Sequence, residues 1–335
     1  MAVQSWLDDD SDSSDSPSAS AEPGACDSRA IASDVLPSIV TISARGRTES
    51  GTGSGEIVDA EGLVVTNDHV IAAAADGGSF EVLLADGTSE PAELVGRDPK
   101  TDLAVLRIEP HSDLPVISFG DATTLHVGEP VVALGAPLGL SGSVTAGIVS
   151  ALDRNVPVPK GDGGQTVLAG AIQTDASINP GNSGGALVDC EGHLVGVNTA
   201  ILTVPNEVGQ AGGGSVGIGF AIPSETVQSI TSQLVANGRA THPTFGMAVS
   251  LVPETASAPF SATPGLYVGS VTPGGPADQA GLRRGDLITT IDGQPATQPN
   301  LIPHLLATSS AGDSVDVEYV RSGTQATTTV TLVEG

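Results

Sequence analysis

From Leu36 onward the chain is a succession of short apolar runs, each cut off by Gly, Asp or Pro. They read "SIVTI", "GEIVD", "LVVTN", "FEVLLAD", "LAVLRI", "PVVALG", "HLVGVN" and "GIGFAI". Runs of roughly 4–8 residues, rich in Val and Ile and separated by turn residues, fit a β-sandwich or β-barrel and are too short for helices. "DAEG" (Asp59 to Gly62) and "DCEG" (Asp189 to Gly192) read as hairpin turns between paired strands. The best helical periodicity is "SETVQSITSQLVANG", where Ser224 is placed to cap, Gly238 to stop, and Val227, Ile230, Leu234 and Val235 to share one face. After "RATHPT" the pattern restarts with "FGMAVSLV", "GLYVGSV", a Gly/Pro-rich turn, "LITTIDG", a short helix "QPNLIPHLLAT" and two further strands. The expected division is a disordered acidic arm over residues 1–28, an all-β domain over 29–238 and a smaller α+β unit over 243–335.

Charge restricts the partners. With 12 Lys and Arg against 39 Asp and Glu, the net charge is −27, which excludes nucleic acid and anionic membrane surfaces. Part of it sits in "QSWLDDDSDSSDSPSASAEP", which has too little apolar surface to offset the entropy of ordering. A calcium loop is not expected there. Starting from Asp8, Asp10 or Asp12, the segment lacks the Gly and Glu that an EF-hand needs at its sixth and twelfth positions. No apolar stretch reaches the roughly 18 residues of a membrane span, and no basic segment followed by an apolar run is visible at the start. "MAVQSWL" reads as what could follow an anchor. Cys26 and Cys190 have two readings. Paired, they close a loop worth about 4–5 kcal/mol of chain entropy; in a reducing compartment they are two thiols.

Chemistry concentrates in "GNSGGALVD", Gly181 to Asp189. Small neighbours around Ser183 suit either a tight turn or a nucleophile whose substrate carbonyl must approach backbone N–H groups. The motif also satisfies the G-x-S-x-G elbow, but that elbow requires a following helix, and "GALVDCEGHLVGVNTA" reads strand, turn, strand. Partners lie upstream. "LVVTNDHVI" puts His69 at the end of an apolar strand, and "DPKTDLAVLRI" puts Asp102 at the entry of a buried one. A carboxylate entering an apolar segment needs a partner, and an imidazole N–H supplies it. His69, Asp102 and Ser183 occur in the chain order of the chymotrypsin triad. "GTGSG" (Gly51 to Gly55) lacks the ending of a phosphate-binding loop and reads as a β-turn before "EIV".

Taken together, "TNDHVI", "TDLAVLRI", "GAPLGLSGSVTAGIVSAL", "QTDASINPGNSGGALVD", "GVNTAI" and "GIGFAIPS" resemble the HtrA (DegP-like) family of serine proteases, and the style is similar to actinobacterial members. The resemblance runs from about Leu36 to the C-terminus. It implies a chymotrypsin-like pair of six-stranded β-barrels with the site between them, followed by a PDZ domain. It implies a triad of His69, Asp102 and Ser183, and an oxyanion hole formed by the N–H groups of Gly181 and Ser183 with Asn182 close by. It further implies a pocket of Ser177, Ile178 and Ile201 for small or medium aliphatic residues, and capture of peptide C-termini by Phe245, Gly246 and Met247. Asp68 stands where the family more often has Asn or Ala; its side chain is expected to point away from His69, although its charge could raise the imidazole pKa. "RNVPVPKGDGGQTVLAG" and "ILTVPNEVGQAGGGSVG" resemble the family's long activation loops.

The expectation is therefore a serine endopeptidase acting on unfolded proteins outside the cytoplasm, assembled as a homotrimer, with no metal or cofactor. The alternative is a peptide-binding scaffold or chaperone whose protease domain rests in an inactive state.

Overall fold

The computed structural model describes residues 26–111, 113–136, 142–159, 165–201, 217–252, 264–297 and 301–335. The acidic arm up to residue 25 and the centres of both Gly-rich loops, 160–164 and 202–216, lie outside the described residues. The short apolar runs form two closed six-stranded barrels. The first comprises β1 (Ile39–Arg45), β2 (Ser50–Ile57), β3 (Leu63–Thr66), β4 (Ser79–Leu83), β5 (Ser89–Asp98) and β6 (Leu103–Arg107), in the order β1-β2-β3-β6-β5-β4. The second comprises β7 (Pro130–Gly135), β8 (Ser143–Pro159), β9 (Gln165–Thr174), β10 (Ala186–Val188), β11 (Leu194–Ile201) and β12 (Gly219–Pro223), in the order β10-β11-β12-β9-β8-β7. Both barrels are entirely antiparallel.

Aromatic residues make up only 2% of the chain, so the cores are aliphatic. Val40, Ile42, Ile57, Val64, Val82 and Leu106 fill the first barrel; Val131, Val149, Ile172, Leu187 and Val195 fill the second. A third cluster joins them. Leu63, Val65, Leu103 and Val105 meet Val197, Phe220 and Ile222, and helix α3 (Ser224–Asn237) covers the seam with Val227, Ile230 and Leu234. Each such side chain contributes about 1.5–3 kcal/mol when fully buried, and the seam they form is where the site lies.

The helices preceding it are α1 (Ser28–Val35) and α2 (Asp68–Ile71), and α3 spans Ser224–Asn237. Gly238 ends α3 in the left-handed region at φ +70°. Ser224 does not cap it: its hydroxyl accepts from Ala122 N–H and donates to the Gly120 carbonyl, while Pro223 occupies the cap position. Val235 is 41% exposed and outside the packed face.

Cys26 and Cys190 form a disulfide, with Cα atoms 4.9 Å apart. It ties the start of α1 to the turn between β10 and β11. No helix was expected here, but Asp27 caps α1 by accepting from the N–H groups of Arg29 and Ala30. Ile31 and Val35 then pack on Val132, Leu134, Ala186 and Leu194.

Two stretches differ from the sequence reading. "GTGSG" lies inside β2 rather than in a turn. A Cβ at Gly51 would stand 2.1 Å from the Val70 carbonyl oxygen, and one at Gly53 2.9 Å from that of Ser183. These glycines are spacers for close packing. The region 154–170 is largely a hairpin, because β8 and β9 stay paired out to Pro159 and Gln165. Its two prolines obscure a strand that cross-strand partners sustain.

The C-terminal unit is a sheet in the order β14-β15-β16-β18-β19, following a short strand β13 (Pro243–Thr244). Its strands are β14 (Met247–Val252), β15 (Gly265–Val271), β16 (Leu287–Ile291), β18 (Ser314–Arg321) and β19 (Thr324–Thr331). Strand β17 (Gln294–Pro295) pairs with β16, and β20 (Val333–Glu334) pairs with β13. Helices α4 (Pro276–Gln279) and α5 (Leu301–Thr308) complete it around Phe245, Leu266, Val268, Leu282, Ile288 and Val317.

Candidate active site

Strand β3 ends at Thr66, and Asn67 leads directly into α2, which carries His69. Asp102 stands at the entry of β6 in the left-handed region, φ +60°, a conformation that Asp tolerates better than most residues. Its carbonyl oxygen is held by Asn67 Nδ2 at 2.9 Å and by the Asp68 N–H at 3.1 Å. This clamp aims the carboxylate. Oδ1 accepts from the His69 backbone N–H at 3.0 Å, and His69 Nδ1 lies 3.0 Å from Oδ1 and 2.9 Å from Oδ2. With Nδ1–H committed to Asp102, the neutral ring keeps its lone pair on Nε2.

The His69 side chain is 39% exposed and that of Asp102 9%. Burial works to lower the His69 pKa, but the Asp102 hydrogen bond and charge, together with the Asp68 charge, leave it above the ordinary imidazole value. Asp68 turns toward Arg97, whose Nε and Nη2 reach its two oxygens at 2.5 and 2.8 Å. Burial, helped by the Asp102 charge, nonetheless leaves the Asp68 pKa raised against the pull of Arg97.

Ser183 sits on a turn that the sequence builds from glycine. Gly181 and Gly184 have φ of +100° and +81°, and a Cβ at Gly184 would stand 2.2 Å from the Ser54 carbonyl oxygen. The Asn182 N–H donates to the Asn179 carbonyl at 2.9 Å. Among the described residues, the Gly181 and Ser183 N–H groups donate to nothing. The Ser183 hydroxyl donates to the Thr199 carbonyl at 3.2 Å, with no hydrogen bond to His69. Thr199 in turn donates its own hydroxyl to Asp102 Oδ2.

Ser54 on β2 is the part of the site that sequence reasoning missed. It donates its hydroxyl to the Gly181 carbonyl at 2.6 Å, accepts from the Ala136 N–H at 2.8 Å, and donates its N–H to the Ser183 carbonyl at 2.8 Å. The nucleophile turn belongs to one barrel and is pinned by the other. The available signal was "GTGSG" itself, a serine among glycines in a run too apolar at its end to be a loop.

Of the three expected pocket residues, two have described side chains. Ser177 is exposed, and its carbonyl accepts from Thr145 Oγ1 at 3.0 Å. Ile178 is 1% exposed and lies in the wall of the second barrel, 2.7 Å from where a Cβ on Gly219 would be. Ile201 ends β11, and its side chain lies outside what is described. In the C-terminal unit Phe245 is a core residue, 2% exposed. The Phe245 and Gly246 carbonyls accept from Ala277 and Thr272, and the Gly246 N–H donates to Thr244 Oγ1. Met247 opens β14, which is an edge strand of its sheet.

Residues 53–197 match the trypsin-like peptidase domain family and residues 245–332 the PDZ domain family. Two closed barrels under the first match define a trypsin-like serine peptidase, and the second match adds a PDZ domain. Serine protease PepD of Mycobacterium tuberculosis is 41% identical over 323 residues, covering 94% of this chain and 68% of that protein. Periplasmic serine endoprotease DegP of Salmonella typhimurium is 41% identical over 286 residues, covering 84% of this chain; the chain spans 56% of that relative's length. Among solved structures, the HtrA-type protease AlgW with a tripeptide aligns with a TM-score of 0.74 at 35% identity, covering 92% of this chain and 97% of that one. The serine endoprotease from Yersinia pestis aligns at 0.65 and 33%, covering 92% and 98%. The chain belongs to the HtrA/DegP family of serine proteases.

Proposed function

We propose that the chain is an endopeptidase in which Ser183 is the nucleophile, His69 the general base and acid, and Asp102 the group that fixes the imidazole. The observation that carries this is the pair of contacts from Asp102 to His69, joined to Ser183 through Thr199. In the reaction Ser183 Oγ leaves Thr199, donates its proton to His69 Nε2 and bonds the substrate carbonyl carbon. Asp102 stabilises the imidazolium, and the Gly181 and Ser183 N–H groups stabilise the oxyanion, each such donor contributing about 3–4 kcal/mol. His69 returns the proton to the leaving amine, and water then hydrolyses the acyl-enzyme.

Substrates in this reading are unfolded proteins, cut after small or medium aliphatic residues. The apolar Ile178 wall and the absence of a carboxylate among Ser177, Ile178 and Ile201 support that preference. Phe245, Gly246 and Met247, next to the edge strand β14, would receive peptide C-termini by strand addition. An extracytoplasmic location agrees with the disulfide and with the periplasmic naming of relatives; a homotrimer is the assembly the family resemblance implies.

The Ser183–Thr199 hydrogen bond also favours a second reading, a peptide-binding scaffold whose protease domain rests inactive. Incubation with denatured casein separates them. The wild type should release peptides ending in Val, Ala, Ile or Leu, and Ser183→Ala should release none. Equal cleavage by the two proteins rules out the first reading, and no cleavage by either supports the second.

A further inference from the structure

Asp102, in its left-handed conformation, directly follows the turn Asp98 to Thr101, and that turn is organised by one buried side chain. The Asp98 carboxylate accepts from the Lys100 and Thr101 N–H groups, both at 3.3 Å, and from Thr101 Oγ1 at 2.5 Å. The same carboxylate meets a residue 144 positions further along, outside both barrels. His242 Nε2 lies 2.9 Å from Asp98 Oδ2, with the two side chains 18% and 8% exposed. The contact is close but is not aligned as a hydrogen bond.

His242 is fixed on both sides. Before it, the Thr241 N–H donates to Gln233 Oε1 of α3 at 2.9 Å, and the Gly238 carbonyl oxygen approaches β5, 2.8 Å from where a Cβ on Gly96 would be. After it, Pro243 and Thr244 form β13 and pair with β20, and the His242 carbonyl accepts from the Gly335 N–H at 2.9 Å. His242 is therefore the first residue of the PDZ unit's own hydrogen-bonded framework. The arginine next to Asp98, Arg97, is turned away to Asp68, and the His242 imidazole is set directly against the Asp98 carboxylate. Burial pushes the Asp98 pKa up, but the His242 contact and the Thr101 bonds outweigh it and hold the carboxyl below its ordinary value.

We infer that His242 is a positioning residue: through Asp98 it braces the turn that presents Asp102 to His69, and so couples the placement of the PDZ unit to the competence of the triad. This rests on the protease reading above. The route is short, since PDZ framework, His242, Asp98, Thr101 and Asp102 are consecutive contacts. A sub-ångström loosening of the turn releases the carboxylate from the imidazole, and geometry of that kind is what a general base depends on.

The test uses the full chain with His242→Gln, which keeps a polar side chain but removes the imidazole, and His242→Lys, which puts a cationic donor within reach of Asp98. The rate of Ser183 phosphonylation by a fluorophosphonate reads triad competence, and Ser183→Ala sets the baseline. His242→Gln should slow phosphonylation by at least about fivefold, a typical coupling between sites, while the KM for denatured casein stays within about twofold. Amide exchange at Lys100 and Thr101 should quicken in the same variant, and His242→Lys should restore both rates. Wild-type rates in His242→Gln overturn the inference, and so does equal slowing by Gln and Lys. An unlabelled wild type would instead overturn the protease reading, and that outcome is visible before any His242 variant is compared.

Discussion

Opening the Cys26–Cys190 bond should cost the molecule more than any other single covalent change. The bridge closes a loop of 164 residues that contains the whole first barrel and four of the six strands of the second. The chain-entropy relation for a loop of that length gives about 5 kcal/mol at 25 °C as the stabilisation lost on reduction. For a domain of this size, each kcal/mol moves the midpoint by about 2–4 °C, so the melting temperature of the protease unit should fall by roughly 10–20 °C. The fall is smaller if reduced protein releases α1 locally, since α1 is held otherwise by Ile31 and Val35 on the second barrel. Calorimetry on the wild type, Cys26→Ser, Cys190→Ser and the double variant measures it. All three variants should melt together, because each opens the same loop, and reductant should move the wild type to their midpoint without moving the double variant. A shift below about 2 °C in every variant would refute the reasoning.

Glu56 is fully buried on β2, neither of its oxygens has a partner among the described residues, and burial pushes its pKa well up. A raised folded pKa gives stability that is present at low pH and is lost as pH rises through that value. Glu56→Gln should therefore gain on the wild type by up to about 1.4 kcal/mol per pH unit between the unfolded and folded pKa values; parallel denaturation curves over that range contradict this. Asp68→Asn removes one of the charges that raise the His69 pKa, so the acid limb of kcat/KM should move to lower pH, and a limb that stays put or moves up sinks the explanation. Gly184→Ala meets both a left-handed φ and the Ser54 carbonyl, which predicts a loss of at least about 2 kcal/mol by urea denaturation. A variant as stable as the wild type would mean that the turn is not fixed as described.

Legibility in the sequence followed the range of the interactions. Strands with Val and Ile between Gly and Asp announced the barrels, since local pattern and burial agree there. His69, Asp102 and Ser183 were visible because an ionised Asp entering "LAVLRI" needs a partner and a serine between glycines needs a reason. Ser54 was not, because its role exists only where β2 meets the Gly181 turn of the other barrel. His242 escaped for the same reason: a linker histidine looks solvated until the fold brings Asp98 to it. Helix α1 was obscured by its polar sequence, and what holds it is a bond to Cys190 rather than propensity. In "RNVPVPKGDGGQTVLAG" the prolines outweighed the alternation, which the long β8–β9 ladder then satisfied.

What all of this requires is that the hydroxyl now resting on the Thr199 carbonyl can swing to the imidazole and attack. Intact-mass and peptide mapping after fluorophosphonate treatment tests that most directly. A single adduct on Ser183 in the wild type, lost in Ser183→Ala and strongly reduced in His69→Ala, is the predicted result. An adduct on another serine, or undiminished labelling of Ser183 without His69, would contradict it.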